Sequence, residues 1–148
     1  MGEILTRVRL ENSADLSLEK QGTLAADKVR GVEIDAVVDT GAVMMLLPQD
    51  LVEKLGLPVY DKVIVALADE TKIELDRAGD IRITVAGRRM TADCLVGPPG
   101  CEPLIGQLIM EGLDLIPDPL KRTLTPRPES PYLPTLKLKP CWRAIPLS

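Results

Sequence analysis

The residues of this chain best suited to chemistry are Asp39-Thr40-Gly41-Ala42, one acidic residue and a tight turn directly after the apolar pair Val37-Val38. The element occurs once in 148 residues, so chemistry that uses a pair of carboxylates needs two copies of the chain. There is no histidine, which removes the commonest general base and metal ligand. A Ser-His-Asp or Cys-His site therefore cannot be built. Cys94, Cys101 and Cys141 are odd in number and lack a metal-ligand spacing. Taken alone, the tripeptide also suits an Asp that merely caps a turn, because Asp and Gly are common wherever a strand ends.

The elements that must position this turn are short apolar runs separated by turn residues, the pattern of a small sheet or barrel. Leu5 to Leu10 alternates and predicts a first strand, and residues 11 to 28 read as a long loop or irregular hairpin. Val29 to Val38 predicts a second strand that becomes fully apolar as it nears Asp39. Leu47, Leu51 and Leu55 recur at i+4, with Pro48 in the first turn and Gly56 to close it, which predicts one short helix. Val63 to Leu67 and Lys72 to Leu75 predict a hairpin around Ala68-Asp69-Glu70-Thr71. Ile81 to Val85 and Met90 to Val96 predict another around residues 86–89. Gly97-Pro98-Pro99-Gly100 is a stiff loop, Pro103 to Gly106 a short buried run, and Gln107 to Glu111 a helical turn. Leu113 to Ile116 and Arg122 to Thr125 predict a last hairpin. Beyond Pro126 the prolines are too frequent for regular structure.

Length suits one domain with a single core, and with no Phe and one Trp that core must be aliphatic, which leans toward strands. Residues 1–120 carry 12 basic and 21 acidic groups, whereas residues 121–148 carry six basic and one acidic, so an acidic body precedes a basic tail. Without basic clusters interleaved with aromatics or a glycine-rich phosphate loop, nucleic acid and nucleotides are excluded as partners. No apolar stretch reaches the length of a membrane span. The N-terminus lacks a signal-peptide pattern, and a reduced, cytoplasmic protein is expected.

Asp39-Thr40-Gly41-Ala42 after two valines, followed by Cys94-Leu95-Val96-Gly97-Pro98 and then Leu104-Ile105-Gly106, resembles the retropepsin-like aspartic peptidases, single-domain relatives of pepsin that include the retroviral proteases. The likeness covers about residues 5 to 126. It implies an all-β, closed acid-protease barrel with one or two short helices, forming a domain over residues 1–126 with residues 127–148 as a proline-rich basic tail. It also implies a homodimer, a peptide or protein substrate and no cofactor or metal. Asp39, Thr40 and Gly41 would be the catalytic turn, Thr40 bonding across the two-fold axis and Gly41 allowing close backbone approach. Ala42, Leu67, Ala68, Asp69, Ile73, Pro98, Ile105 and Gly106 would bind substrate. Gly106 would let its segment pass tightly beneath the turn, though as a lone residue it is equally an ordinary turn glycine.

In such a peptidase two carboxylates sharing one proton supply both the base that deprotonates water and the acid that protonates the carbonyl oxygen. At about 4 Å and an effective dielectric near 20 their charges repel by about 4 kcal/mol, roughly three pK units. This splitting is the behaviour for which aspartic-protease dyads are the standard example. The resemblance makes the predicted hairpin around Ala68-Asp69-Glu70-Thr71 a flap over bound peptide.

Two departures from the viral pattern stand out. The flap contains no glycine between Leu57 and Ala78 and carries two acids at its tip, which are either functional or a solvated turn. Val43 and Gln107 replace an acid and an arginine that usually pair, so both halves of the pair are absent together and no charge is stranded. Dimer support must then come from Leu113 to Thr125 and the tail. The leading function is an aspartic endopeptidase that cuts extended segments with apolar residues around the scissile bond. The alternatives are a catalytically silent dimer of the same fold that binds peptides, and an unrelated small β-barrel with a coincidental turn. The tail is either a disordered extension bearing Trp142, or a basic segment that lies on the acidic body of its own or a partner chain. In the second case Pro128 to Leu138 would fill a groove or be cut in self-processing.

Overall fold

The computed structural model describes residues 3–138, so Cys141 and Trp142 lie outside the described residues. Strand β1 (Leu5–Asn12) turns Thr6, Val8, Leu10 and Asn12 inward and leaves Leu5, Arg7 and Arg9 exposed, the period-two alternation of a half-buried strand. It pairs antiparallel with β2 (Gly31–Val38) from Leu5 opposite Val37 to Glu11 opposite Gly31. Arg7 and Arg9 face Asp35 and Glu33 across this pair. These pairs are exposed and add little stability.

Between β1 and β2 the expected irregular segment folds as helix α1 (Ser13–Lys20) and a 3-10 turn at Ala26–Lys28. Asn12 is the cause. Its side-chain oxygen accepts the Asp15 N–H at 3.0 Å, satisfying a helix N-terminal donor. Its amide donates to the Leu55 carbonyl at 2.9 Å, tying α1 to the segment after the second helix. Buried Asp15 accepts from the Arg30 backbone N–H and from Nε and Nη2 of its guanidinium. That hydrogen-bonded ion pair holds the Asp15 carboxyl below its ordinary value against the opposing effect of burial. Gly56, at φ 66°, receives the Arg30 guanidinium on its bare Cα, where a Cβ would lie 1.9 Å from Nη1.

The next stretch corrects the sequence reading. Leu47 and Pro48, predicted as part of the helix, instead belong to strand β3 (Met45–Pro48), and helix α2 (Gln49–Lys54) follows with Pro48 as its N-cap. Met45 to Pro48 pair in parallel with Cys94 to Gly97. This pairing overrides the i+4 leucine pattern, because Met45 and Leu47 are 1% exposed on one face of the strand. The flap hairpin is longer than predicted, with β4 (Val59–Ala66) against the first half of β5 (Lys72–Val85). The second half of β5 turns through Ala86-Gly87, both at positive φ, into β6 (Arg88–Gly97), which starts two residues earlier than expected. Strand β7 (Leu104–Ile105), helix α3 (Gln107–Leu113) and the hairpin β8 (Leu115–Asp118) and β9 (Thr123–Pro126) complete the described elements. Among the described residues there are three helices, where one or two were expected.

The fold is mostly β, as the resemblance implied. Seven strands lie in the order β1-β2-β7-β3-β6-β5-β4, and β1 also pairs with β5, so the pairings close on themselves with β4 added outside. The core is aliphatic: Leu10, Leu47, Ile81, Ile83, Ile105 and Leu113 are each 1% exposed or less. Cys94 belongs to it, and burial pushes its thiol up to about 12, leaving it a packing group rather than a nucleophile. Burial also raises the half-buried Cys101 thiol.

Residues 127–138 contain no helix or strand, but the tail is fastened at its start. Asp114 ends α3 at φ 54°, and its carboxylate accepts from the Ser130 hydroxyl, the Thr135 N–H at 2.9 Å and Arg127 Nε at 2.9 Å. These bonds, led by that from Ser130, hold the Asp114 carboxyl far below the usual carboxylate range. Buried Arg88 donates to the Leu113, Asp114 and Ser130 carbonyls, answering the free carbonyls at the helix end.

Candidate active site

Strand β2 carries Asp39 to the edge of the core. Ala36 and Val37 are buried and Val38 packs beside them, so the chain leaves the interior one residue before the carboxylate. The Asp39 N–H donates to the Ile105 carbonyl at 2.9 Å, continuing the parallel pairing of Val37 and Val38 with Leu104 and Ile105. Its Oδ1 accepts the Gly41 N–H at 2.9 Å, and the Ala42 N–H closes the turn onto the Asp39 carbonyl at 3.2 Å. A Cβ on Gly41 would lie 3.3 Å from that same Oδ1. Asp39 is half-buried, while Thr40 and Gly41 are exposed.

A second segment braces the turn from below. Strand β7 threads between β2 and β3, parallel to the first and antiparallel to the second. At Gly106 the backbones meet so closely that a Cβ would lie 2.7 Å from the Ala42 carbonyl oxygen and 2.8 Å from that of Met44. Immediately afterwards the Gln107 N–H donates to the Ala42 carbonyl at 2.8 Å and the Leu108 N–H to the Val43 carbonyl at 3.0 Å. The turn after Asp39 thus caps α3, which lacks a side-chain cap of its own. Val43 and Gln107 are backbone neighbours here, and neither needs a charged partner.

Above the turn lies a groove of about 850 Å³ between the β4–β5 hairpin and the loop that carries Asp39. Of the residues expected from sequence, Asp39, Gly41, Ala42, Leu67, Ala68, Ile73 and Pro98 line it. Thr40 and Asp69 do not. Ile105, expected as a pocket wall, is 1% exposed and belongs to the core, and Leu104 beside it faces the groove instead. Gly106 is buried beneath the turn rather than in the groove. Sequence reasoning missed Val63, Val65, Leu75, Leu46 and Leu95 among the lining residues. The period-two spacing of Val63 with Val65, paired to Leu75 and Ile73 across the hairpin, was the available signal. Asp39 is the single charged residue of this lining among the described residues.

The flap tip is exposed throughout. Leu67 N–H donates to the Thr71 carbonyl at 2.8 Å and Glu70 N–H to the Leu67 carbonyl at 2.9 Å. Glu70 sits at φ 68°, a left-handed conformation that costs a non-glycine residue about 1–2 kcal/mol. Asp69 accepts the Thr71 N–H at 3.0 Å, and hydrogen bonding from Thr71 holds its carboxyl below its ordinary value. Its carboxylate therefore shapes the turn. No helix among the described residues is long and apolar enough to cross a membrane.

A family model described as aspartyl protease matches residues 27–109, more than half of the chain. The match runs from the 3-10 turn before β2, through Asp39 and the flap, to the first turn of α3. No curated protein matches the chain.

Proposed function

This chain belongs to the retropepsin-like aspartyl protease family, and on that premise we propose that it is a homodimeric aspartic endopeptidase whose dyad is Asp39 with Asp39 of a second copy. The observation that supports this most directly is the braced Asp39 turn. One carboxylate, oriented by the Gly41 N–H, sits beneath a long apolar groove whose lining supplies no second acid. A two-fold axis beside the turn brings in the other carboxylate without any further residue type.

With one proton between the pair, the ionised Asp39 takes a proton from the water it holds. The oxygen of that water attacks the peptide carbonyl, and the protonated Asp39 gives its proton to the carbonyl oxygen. Collapse of the tetrahedral intermediate breaks the C–N bond, the amine leaving with a proton returned through the dyad. The apparent pKa values belong to the pair, and activity falls in the acidic to mildly acidic range. Thr40, exposed on the turn, faces the partner's turn in this arrangement. Extended substrate lies along the flap as an added strand, its apolar side chains against Val63, Val65, Leu67, Ile73, Pro98 and Leu104. Residues 1–126 form the peptidase domain and residues 127–148 its tail, in a soluble cytoplasmic enzyme that needs no cofactor.

Sedimentation at micromolar concentration should give a dimer, and a strict monomer would sink the proposal. An unfolded protein incubated between pH 4 and 7 should be cleaved by the wild type. Asp39→Asn should lower the rate by about 10²–10⁴-fold with unchanged thermal stability. Cleavage that survives the substitution would come from a contaminant, and peptide binding without cleavage by the wild type would identify a silent binding module.

A further inference from the structure

The tail and the groove are complementary, and the tail is fastened outside the groove of its own chain. Beyond Thr135 the sequence runs Leu136-Lys137-Leu138. In an extended chain this sets two leucines on one face and a lysine on the other. Leu136 and Leu138 are 61% and 78% exposed, so the described structure leaves this apolar face uncovered. The groove needs the opposite: its lining is aliphatic with one charge, the negative Asp39, and two further acids, Asp69 and Glu70, stand exposed at the flap tip above it. The imbalance extends over the whole chain, with 21 acids against 12 bases before residue 121 and six bases against one acid after it.

The described chain shows which copy is bound. Thr135 is held on Asp114, the residue that ends α3. With that contact made, Leu136 and Leu138 stand exposed and neither lines the groove of its own chain. A tail latched at Thr135 therefore offers these leucines to another molecule.

We propose that the segment around Leu136-Lys137-Leu138 is a ligand for the groove of a second copy, entering as an extended strand. Leu136 and Leu138 seat on the aliphatic lining, and Lys137 points toward the flap-tip acids. This rests on the groove being the substrate site, and it names the class of segment the site prefers: extended, with aliphatic and basic residues alternating.

A fluorescent peptide of residues 131–140 is titrated, with anisotropy as readout, into full-length protein carrying Asp39→Asn, Leu136→Asp and Leu138→Asp. This protein cannot cut the probe, and its own tails do not compete. Saturable binding is expected. It should weaken on the order of tenfold for each Leu→Asp change in the peptide, and similarly when Leu67→Asp or Ile73→Asp is added to the protein. Both of those residues are exposed, so the fold should survive, as circular dichroism would verify. High salt should weaken binding of the normal peptide more than that of a Lys137→Gln peptide. Binding that ignores the Leu67 and Ile73 changes would place the tail elsewhere and overturn the proposal. So would absence of saturable binding at millimolar protein. Because the titration needs no turnover, either result leaves the peptidase reading standing if wild-type enzyme cleaves other substrates.

Discussion

The Asp39 turn and the flap tip face each other across one groove and are built in opposite ways. Four backbone hydrogen bonds from residues of β7, α3 and the turn itself hold the floor: Asp39 to Ile105, Ala42 to Asp39, Gln107 to Ala42 and Leu108 to Val43. Gly106 packs there with no room for a methyl group. The tip is an exposed four-residue turn closed by local bonds, with Glu70 in a conformation that favours glycine. The difference fits the work of each part. In the proposed dyad a carboxylate must stay within a fraction of an ångström of its mate, whereas a hairpin proposed to cover substrate must open and close, which requires low local stability.

The sharpest way to break this comparison is Gly106→Ala. The added methyl meets carbonyl oxygens and a backbone carbon at 2.7–2.9 Å, and these cannot turn aside as a flexible side chain could. A loss of about 3 kcal/mol is expected, a fall in Tm of roughly 6–12 °C, with activity lost well below the unfolding temperature because the turn itself is displaced. An unchanged Tm would show that the floor is as yielding as the tip.

Glu70→Gly probes the other side with a smaller effect. Relief of the left-handed strain, offset by the greater freedom of glycine in the unfolded chain, should stabilise the tip by about 1 kcal/mol or less. Slower hydrogen exchange at Leu67 and Thr71 is the readout, with little change in global Tm. A Tm shift as large as that from Gly106→Ala would mean the flap is part of the cooperative core.

The smallest effect separates two carboxylates by pH. Asp114 and Asp69 are both held below the ordinary value of 3.8 in the folded chain. Each therefore contributes stability that is fully present above that ordinary value and is lost as pH falls through the lower folded one. Asp114 lies on the floor side, at the end of α3, so Asp114→Asn should flatten the acid limb of the Tm–pH curve below about pH 4. Asp69→Asn should leave global Tm unchanged there and alter only flap exchange. Equal effects would erase the distinction between the two regions.

Much of the site was legible before the fold was known. The valines before Asp39 and the hairpin from Val63 to Leu75 follow from apolar runs and alternation, whereas the pairing of Asp39 with Gly106 was what the family resemblance implied. The helix α1 escaped because its support is Asn12 bonding to Asp15 and Leu55, a cap that carries little weight in a segment without apolar periodicity. Strand β3 was misread because Leu47, Leu51 and Leu55 keep helical spacing across a boundary that only the pairing with β6 reveals. Ile105 and Leu104 could not be told apart from their types: both are aliphatic, and only their facing decides which is core and which is groove.

By itself, the sequence determined the chemistry open to this protein: one acidic turn, no histidine, an aliphatic strand-rich core and an acidic body with a basic tail. Residue types and local periodicity encode these directly. Tertiary structure alone decided that the turn caps α3, that Leu104 rather than Ile105 lines the groove, and that Asp114 fastens the tail outside that groove. Those facts join residues distant in sequence, and it is the closing of the sheet around one core that brings them together.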